Sequence, residues 1–413
     1  NAGRDTLVRV DVNTCDVVGE YLSQPAVMAG NPSRTTVDGY GNVWVGNRNE
    51  SSGSMGSVTR IGLIVGGTRV DASGAPDPNG DYVLNPDYCT CEDRNLDGLI
   101  KTSRGYPWGN GVSDYTTSEL PWTNAGSADT NGGVSTAGDE CITAYVRVSG
   151  TNVRFVAVDP VGDVWTGGLS NRLFEKIDGA TATVVPTSTF NSMCGGYGGL
   201  VDPYNVIWSA YWDPGYGAGF MRYDTQFTSS PLTCITNVRN YGVGIDPATC
   251  HIWTTAATHD NNVREVDSAG NLLNVYNHYG SATPNRLARG IVISDGNVWV
   301  AHSAGNTVGR LSTSGVHLGN VTVGTGPTGV AIDTNGKVWA TNRSSNNASR
   351  IDPGPVPGVV DLTVDLGAGS SPYNYSDMTG SVLLQGVAPQ GSWTTIYDSG
   401  VLGCDWDYLS WVA

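Results

Sequence analysis

Along this chain, short runs of Val, Ile and aromatic residues are repeatedly broken by Gly, Asn, Asp and Pro, a pattern that predicts short strands joined by tight turns. The pattern repeats. An apolar stretch, a turn opened by Asp, and a Val-Trp pair recur six times. The first copy is Val37-Asp38-Gly39-Tyr40-Gly41-Asn42-Val43-Trp44. It is followed by VDPVGDVW ending at Trp165, VDPYNVIW at Trp208, IDPATCHIW at Trp253, ISDGNVW at Trp299 and IDTNGKVW at Trp339. The last five tryptophans are 43, 45, 46 and 40 residues apart. A period of this length, with β-branched residues flanking a turn, is that of one four-stranded propeller blade.

Each copy predicts an inner strand before the turn and a second strand after it. A looser motif follows each copy and predicts third strands: SVTRIG from Ser57, RLFEKID from Arg172, FMRYD from Phe220, NVREVD from Asn262, TVGRLS from Thr307 and ASRID from Ala348. NLLNVY and HLGNVTV are expected as outer fourth strands. The same third-strand motif stands alone near the start, as TLVRVD followed by CDVVGEY. An unmatched outer pair implies a blade completed from elsewhere. Closure through residues beyond about 365 gives seven blades, and the alternative is a six-bladed ring with an extra hairpin. The expectation is an all-β propeller over 1–352. It carries one long insertion at about 65–146, where 121 residues separate Trp44 from Trp165. Residues 353–413 are expected to be β-rich, either closing the propeller or beginning a truncated β-sandwich.

Composition adds the setting. The net charge is −16, with only 22 Lys and Arg against 38 Asp and Glu, which argues against binding to a phosphate backbone and so against nucleic acid as a partner. No run approaches the roughly 18 apolar residues of a membrane helix. Eight Cys without a His-Cys cluster at zinc spacing predict disulfides, with Cys91–Cys141 the preferred pair, and an oxidising compartment. No charged-then-apolar leader is found, so any signal peptide is expected to have been removed already or never to have been part of this sequence. The predicted location is secreted, extracellular or periplasmic.

The blades, RGIVISDGNVWVAHSAGNTVGRLSTSG above all, resemble NHL-like propellers and most closely the streptogramin lyase group, over most of residues 6–352 outside the insertion. That resemblance implies a central funnel where lyases carry His and Glu beside a divalent cation, just after the second strands. The corresponding stretches here are Gly46-Asn47-Arg48, Thr166-Gly167-Gly168, Ser209-Ala210-Tyr211, Thr254-Thr255-Ala256, Ala301-His302-Ser303 and Thr341-Asn342-Arg343. Among them only His302 has suitable chemistry, and one His without a positioned carboxylate is a poor general acid-base apparatus.

The insertion carries the strongest chemical motif, Asp93-Arg94-Asn95-Leu96-Asp97-Gly98-Leu99-Ile100, which is the first part of an EF-hand-type calcium loop. Three alternate side-chain oxygens and the Leu99 carbonyl would face the ion. Arg104 stands where the bidentate carboxylate belongs, so a second segment, Asp129, Asn131, Asp139 and Glu140, is expected to complete the shell, held by Cys91–Cys141. Thrombospondin type 3 repeats and dockerins are similar in using such loops stapled or paired. The expected ion is structural Ca2+.

Three functions remain open from the sequence. The first is a binding or structural module for a protein or polysaccharide ligand. The second is a lyase or hydrolase acting on a polysaccharide or small cyclic substrate, with His302, Arg48, Arg343 and His259 as candidate groups. The third is self-association through the C-terminal strands.

Overall fold

The computed structural model describes residues 1–25, 30–49, 55–84, 86–105, 119–122, 138–211, 219–227, 231–257, 259–280, 284 and 286–375. Among them there is no helix. The described residues form six antiparallel sheets of propeller type, one two-stranded sheet near the start, and two small sheets in the insertion.

Blade 1 comprises Pro32–Val37, Val43–Asn47, Gly56–Ile61 and, after the insertion, Ile142–Val148. The last five residues of the expected insertion therefore belong to this outer strand. Blade 2 runs from Val153–Val158 through Val164–Gly168 and Leu173–Asp178 to Thr183–Val184, with Phe190–Asn191 added on the third strand. Blade 3 begins at Gly198–Val201, blade 4 at Val243–Ile245, blade 5 at Ala288–Ser294 and blade 6 at Pro327–Ile332, each with three further strands in sequence order. The hairpin Thr6–Val10 and Val17–Leu22 is the unmatched outer pair of the sequence pattern.

The motif works as a physical unit. In blades 1, 3 and 6, the Asp at the turn accepts two backbone N–H groups on one carboxylate oxygen and the indole N–H of the Trp six residues on with the other. Trp44 Nε1 lies 3.0 Å from Asp38, Trp208 Nε1 2.9 Å from Asp202, and Trp339 Nε1 2.7 Å from Asp333. Blade 4 inserts one residue between Asp246 and Trp253, and the buried Trp253 indole nitrogen has no partner. The opposite residue on the third strand caps the indole where it is Arg. Arg60 stacks 5.4 Å from the Trp44 ring centre, Arg310 4.8 Å from Trp299 and Arg350 6.0 Å from Trp339.

Each Trp packs into the face of the following blade. Trp44 clusters with Val153 and Val156 of blade 2, Trp208 with Val243 and Ile252 of blade 4, and Trp299 with Val330 and Val338 of blade 6. Second strands are consequently buried on both faces, whereas the outer strand Leu272–Asn277 is largely exposed, with only Leu272 and Tyr276 partly covered. After blade 6 the next neighbour is the N-terminal hairpin: Val8, Val10, Cys15 and Val17 pack on Trp339 and Val364, and Leu7, Tyr21 and Leu22 on the blade 1 side.

Candidate functional site

The inner strands converge on the axis, and residues within about three positions of their starts meet there. Arg34 comes from blade 1, Arg154 from blade 2, Tyr197 and Tyr241 from the approaches to blades 3 and 4, and Arg289 from blade 5. Tyr373 and Tyr375 arrive from the segment that follows blade 6. Arg48 and Arg343, at the ends of second strands, join them from above.

The cluster is knitted by stacked guanidiniums and phenols. The Arg34 guanidinium carbon lies 4.5 Å from the Tyr375 ring centre and 5.1 Å from that of Tyr197. Arg154 lies 5.0 Å from Tyr197, Arg48 4.9 Å and Arg343 5.5 Å from Tyr373. Arg289 Nη1 donates to Tyr375 Oη at 2.7 Å, and Arg154 Nη1 to Tyr373 Oη at 3.3 Å. The Tyr197 hydroxyl is 2.8 Å from that of Tyr241 and 3.1 Å from that of Tyr373.

None of these five arginines has a carboxylate within ion-pair distance among the described residues. The buried Nε atoms of Arg34 and Arg289 have no hydrogen-bond partner. In a protein with 38 acidic side chains, five cations without a counter-charge at one point are a local reversal of sign. The field acts on Tyr373: burial pushes its phenol up, but Arg34 and Arg154 outweigh this and bring it down to about 7. Two clefts open onto the cluster. One of about 240 Å³ is walled by Arg154, Tyr197, Tyr241, Arg289, Arg343 and Tyr373; the other, of about 320 Å³, by Asn31, Arg48, Arg343, Ser371 and Tyr373.

His302 lies elsewhere. It is fully buried at the end of the second strand of blade 5, its Nε2 3.1 Å from His278 Nδ1 and its own Nδ1 without a partner. Burial and the neighbouring His278 hold its pKa well below the usual imidazole value. His259 is exposed. Arg48 and Arg343 are the only candidates from the sequence that reach the axis. Arg34, Arg154, Arg289, Tyr197, Tyr241, Tyr373 and Tyr375 went unnoticed there, although a signal existed. Four or five positions before the Asp of the turn, the copies carry Arg34, Arg154, Tyr197 and Tyr241 in turn.

In the insertion, Cys91 and Cys141 are bonded, and Glu140 lies beside the Asp93 loop. Its carboxylate is occupied by backbone: Oε1 accepts from Arg94 N at 2.9 Å, and Oε2 from Lys101 N at 2.7 Å. Asp139 accepts from the Thr102 and Ser103 hydroxyls and from Cys141 N. Asp93, Asn95 and Asp97 fold inward on their own loop, with Asp93 Oδ2 2.9 Å from Gly98 N and Asp97 Oδ1 2.9 Å from Leu99 N. Gly98 takes a φ of 82°, which the tight turn requires. Hard oxygen donors at alternate positions suit calcium, and Asp139 and Glu140 brace the loop through these hydrogen bonds. Among the described residues, no three His, Cys, Asp or Glu side chains converge. Asp129 and Asn131 lie outside the described residues. A second bridge joins Cys194 to Cys234, while Cys15, Cys89 and Cys250 are free thiols, so among the described residues disulfides take four of seven cysteines.

No family model matches the chain, and no curated protein matches its sequence. Solved structures match in fold. A functionally unknown protein from Desulfotomaculum acetoxidans superposes with a TM-score of 0.52 at 11% identity, over 91% of this chain and 96% of that one. Hydrazine synthase from Kuenenia stuttgartiensis gives 0.50 at 12% identity, over 85% and 90%. A catalytically inactive virginiamycin B lyase from Staphylococcus aureus with quinupristin gives 0.48 at 14% identity, over 89% and 91%. The likeness is one of fold: propellers host unrelated activities, so function has to be argued from the site.

Proposed function

We propose that this chain is a secreted or periplasmic binding module that takes an oxyanion-bearing ligand, a carboxylated or sulfated saccharide chain, into the axial clefts between Arg154, Arg289, Arg343 and Tyr373. The observation that carries this reading is the convergence of five arginines without a counter-charge. Guanidinium forks match planar carboxylate and tetrahedral sulfate, and in a partly buried cleft such charge-assisted bonds are about twice as strong as neutral ones. The phenol faces beside them suit the apolar faces of sugar rings. The clefts hold no paired carboxylates and no nucleophile with an adjacent base among the described residues, which favours binding over hydrolysis or elimination.

Calcium enters as a stabiliser. Asp93, Asn95, Asp97 and the Leu99 carbonyl would hold it, with Asp129, Asn131, Asp139 and Glu140 as further ligands, and it would neutralise a loop-rich insertion without touching the ligand. Two disulfides suit an oxidising compartment.

Titration calorimetry with an oligogalacturonate, a sulfated oligosaccharide and the methyl ester of the first is the direct test. Binding of the charged oligomers that weakens steeply with salt is expected. Equal binding of the neutral ester, or binding unaltered in an Arg154→Met, Arg289→Met variant, would overturn the assignment.

A further inference from the structure

The seam between blades 4 and 5 holds a group of histidines that the axial site does not use. His278 follows the outer strand of blade 4, Leu272–Asn277, and reaches into blade 5. His302 ends the second strand of blade 5, Asn297–His302, and His317 opens its outer strand, His317–Thr322. His278 and His302 are both fully buried. Their hydrogen bonds fix one arrangement of protons. His278 Nε2 lies 3.1 Å from the Val298 carbonyl, which can only accept, so this nitrogen carries the proton and Nδ1 is bare. His302 Nε2, 3.1 Å from that bare nitrogen, therefore donates to it, and the buried His302 Nδ1 is left as a lone pair without a partner.

Such a pair is satisfied only while neutral. A proton added to either ring places an N–H at His302 Nδ1, directly or by reversing the bond between the rings, and that buried donor meets no acceptor. The positive charge finds no counter-charge either. The rings face His317, whose own buried Nε2 has no hydrogen-bond partner, and the Arg286 guanidinium. Arg286 lies 5.3 Å from the ring centre of Tyr279, which in turn stands 4.9 Å from that of His302. On the blade 4 side Asp260 is taken up by Arg264 at 2.6 Å, and Glu265 by His251 at 2.6 Å and Asn274 at 2.8 Å. Burial accordingly brings His278 down to about 4 and holds His302 well below the usual imidazole value.

A short backbone path joins this seam to the axial cleft. Beyond His302, Ser303 N donates to the Leu287 carbonyl at 3.1 Å and Ala304 N to the Arg286 carbonyl at 3.0 Å. Leu287 takes a φ of 58°, a left-handed conformation that is unfavourable for Leu and is held by the bond from Ser303. Leu287 and Arg289 both line the cleft of about 240 Å³, and Arg289 Nη1 bonds Tyr375 Oη there. Between them, Ala288 lies opposite His302 in the strand pair, and its carbonyl accepts from the N–H of Ala257, a further residue of the cleft wall.

We propose that the histidine seam is an acid-released latch on the axial cleft: charging of His278 or His302 frees Arg286–Arg289 from the end of the second strand, and the cleft lets go of its oxyanion ligand. The purpose of the latch rests on the ligand assignment, whereas its opening is measured without ligand. The sign follows from the burial of a neutral pair. Its stabilisation is complete above the ordinary imidazole value of 6.5 and is lost as pH falls towards 4. At pH 5, a value of about 4 in place of 6.5 favours opening about 30-fold through His278 alone.

The test follows hydrogen exchange at the Ser303 and Ala304 amides in the full chain, each rate divided by its intrinsic value. Without ligand, protection at these two amides is expected to fall at least about 30-fold from pH 7.5 to pH 5, and far less at the inner strands of blade 2. A His278→Gln, His302→Gln variant should lose this pH dependence; if it does not fold, the profile of the unaltered protein decides. A saturating sulfated oligosaccharide, whose charge does not titrate in this range, should restore protection at pH 5. Protection that is unchanged by acid, or that falls equally in blade 2, would overturn the latch. Acid-lost protection that a calorimetrically bound oligosaccharide fails to restore would sever the seam from the cleft and overturn it as well. Absence of any oligosaccharide binding would sink the ligand assignment alone, and the ligand-free profile would still decide whether acid opens the seam.

Discussion

The insertion and the axial cluster handle charge in opposite ways. In the insertion, carboxylates are satisfied locally: Asp93 by amides four and five residues on, Glu140 by the backbone across a disulfide. At the axis, cations are collected from separate blades and left facing phenols and one another. The first arrangement lowers the free energy of a loop with little sequence-intrinsic structure. The second keeps groups under-solvated and available, which is the signature expected of a binding site rather than of a scaffold.

The strongest way to break this contrast is Cys141→Ser. The bridge spans a sequence separation of 50, and its loss is expected to cost roughly 2–5 kcal/mol, confined to the insertion. Limited proteolysis should cut within 65–105 while anion binding at the axis persists. Loss of both would show that the two regions are one unit. Chelation of the proposed calcium ion comes next: at a calcium concentration of 100 times Kd the ion would add about 2.7 kcal/mol to the folded state, and Asp97→Asn should abolish the resulting difference in melting temperature without altering ligand affinity. At the axis, Arg154→Met or Arg289→Met should each weaken oligogalacturonate by about 10- to 100-fold, the equivalent of roughly 1.5–3 kcal/mol per charged hydrogen-bonding group, with the melting temperature little changed.

The smallest effect concerns Tyr373. Its phenol, held at about 7, is neutral and a donor below that pH, and above it adds a negative charge among Arg34, Arg48, Arg154 and Arg343 beside Tyr197 and Tyr375. Anion affinity should therefore fall a few-fold between pH 6 and 8, and Tyr373→Phe should flatten the profile. Calorimetry at both pH values distinguishes the two outcomes.

The fold was legible because one interaction recurs in contiguous sequence. Asp38, Asp202 and Asp333 each reach their own Trp across six residues, so the turn, the strand pair and the blade interface are written in eight letters. The calcium-type loop is legible for the same reason. The axial cluster is not, because its members are scattered from Arg34 to Tyr375, most of them tens of residues apart, on different strands and connecting segments. Only the ring geometry brings Arg34 within hydrogen-bonding distance of the Tyr197 carbonyl, 2.8 Å away, or Asn374 to Thr35. His302 drew notice by residue type, and strand alternation turned it inward against His278.

The early hairpin has a consequence for how the molecule is made. Its two strands emerge from the ribosome before blades 1 to 6, yet Arg350 Nη1 donates to the Val12 carbonyl at 2.6 Å across 338 residues, and Asn335 Nδ2 to Asn13 across 322. Until blade 6 has been synthesised this apolar ribbon, carrying Leu7, Val8, Val10, Val17 and Tyr21, has no native neighbour on that side. Such late, long-range contacts are slow to form and leave strand edges open in the interval. The ribbon is thus the segment that a chaperone would have most reason to hold, and the one whose docking would mark the end of assembly.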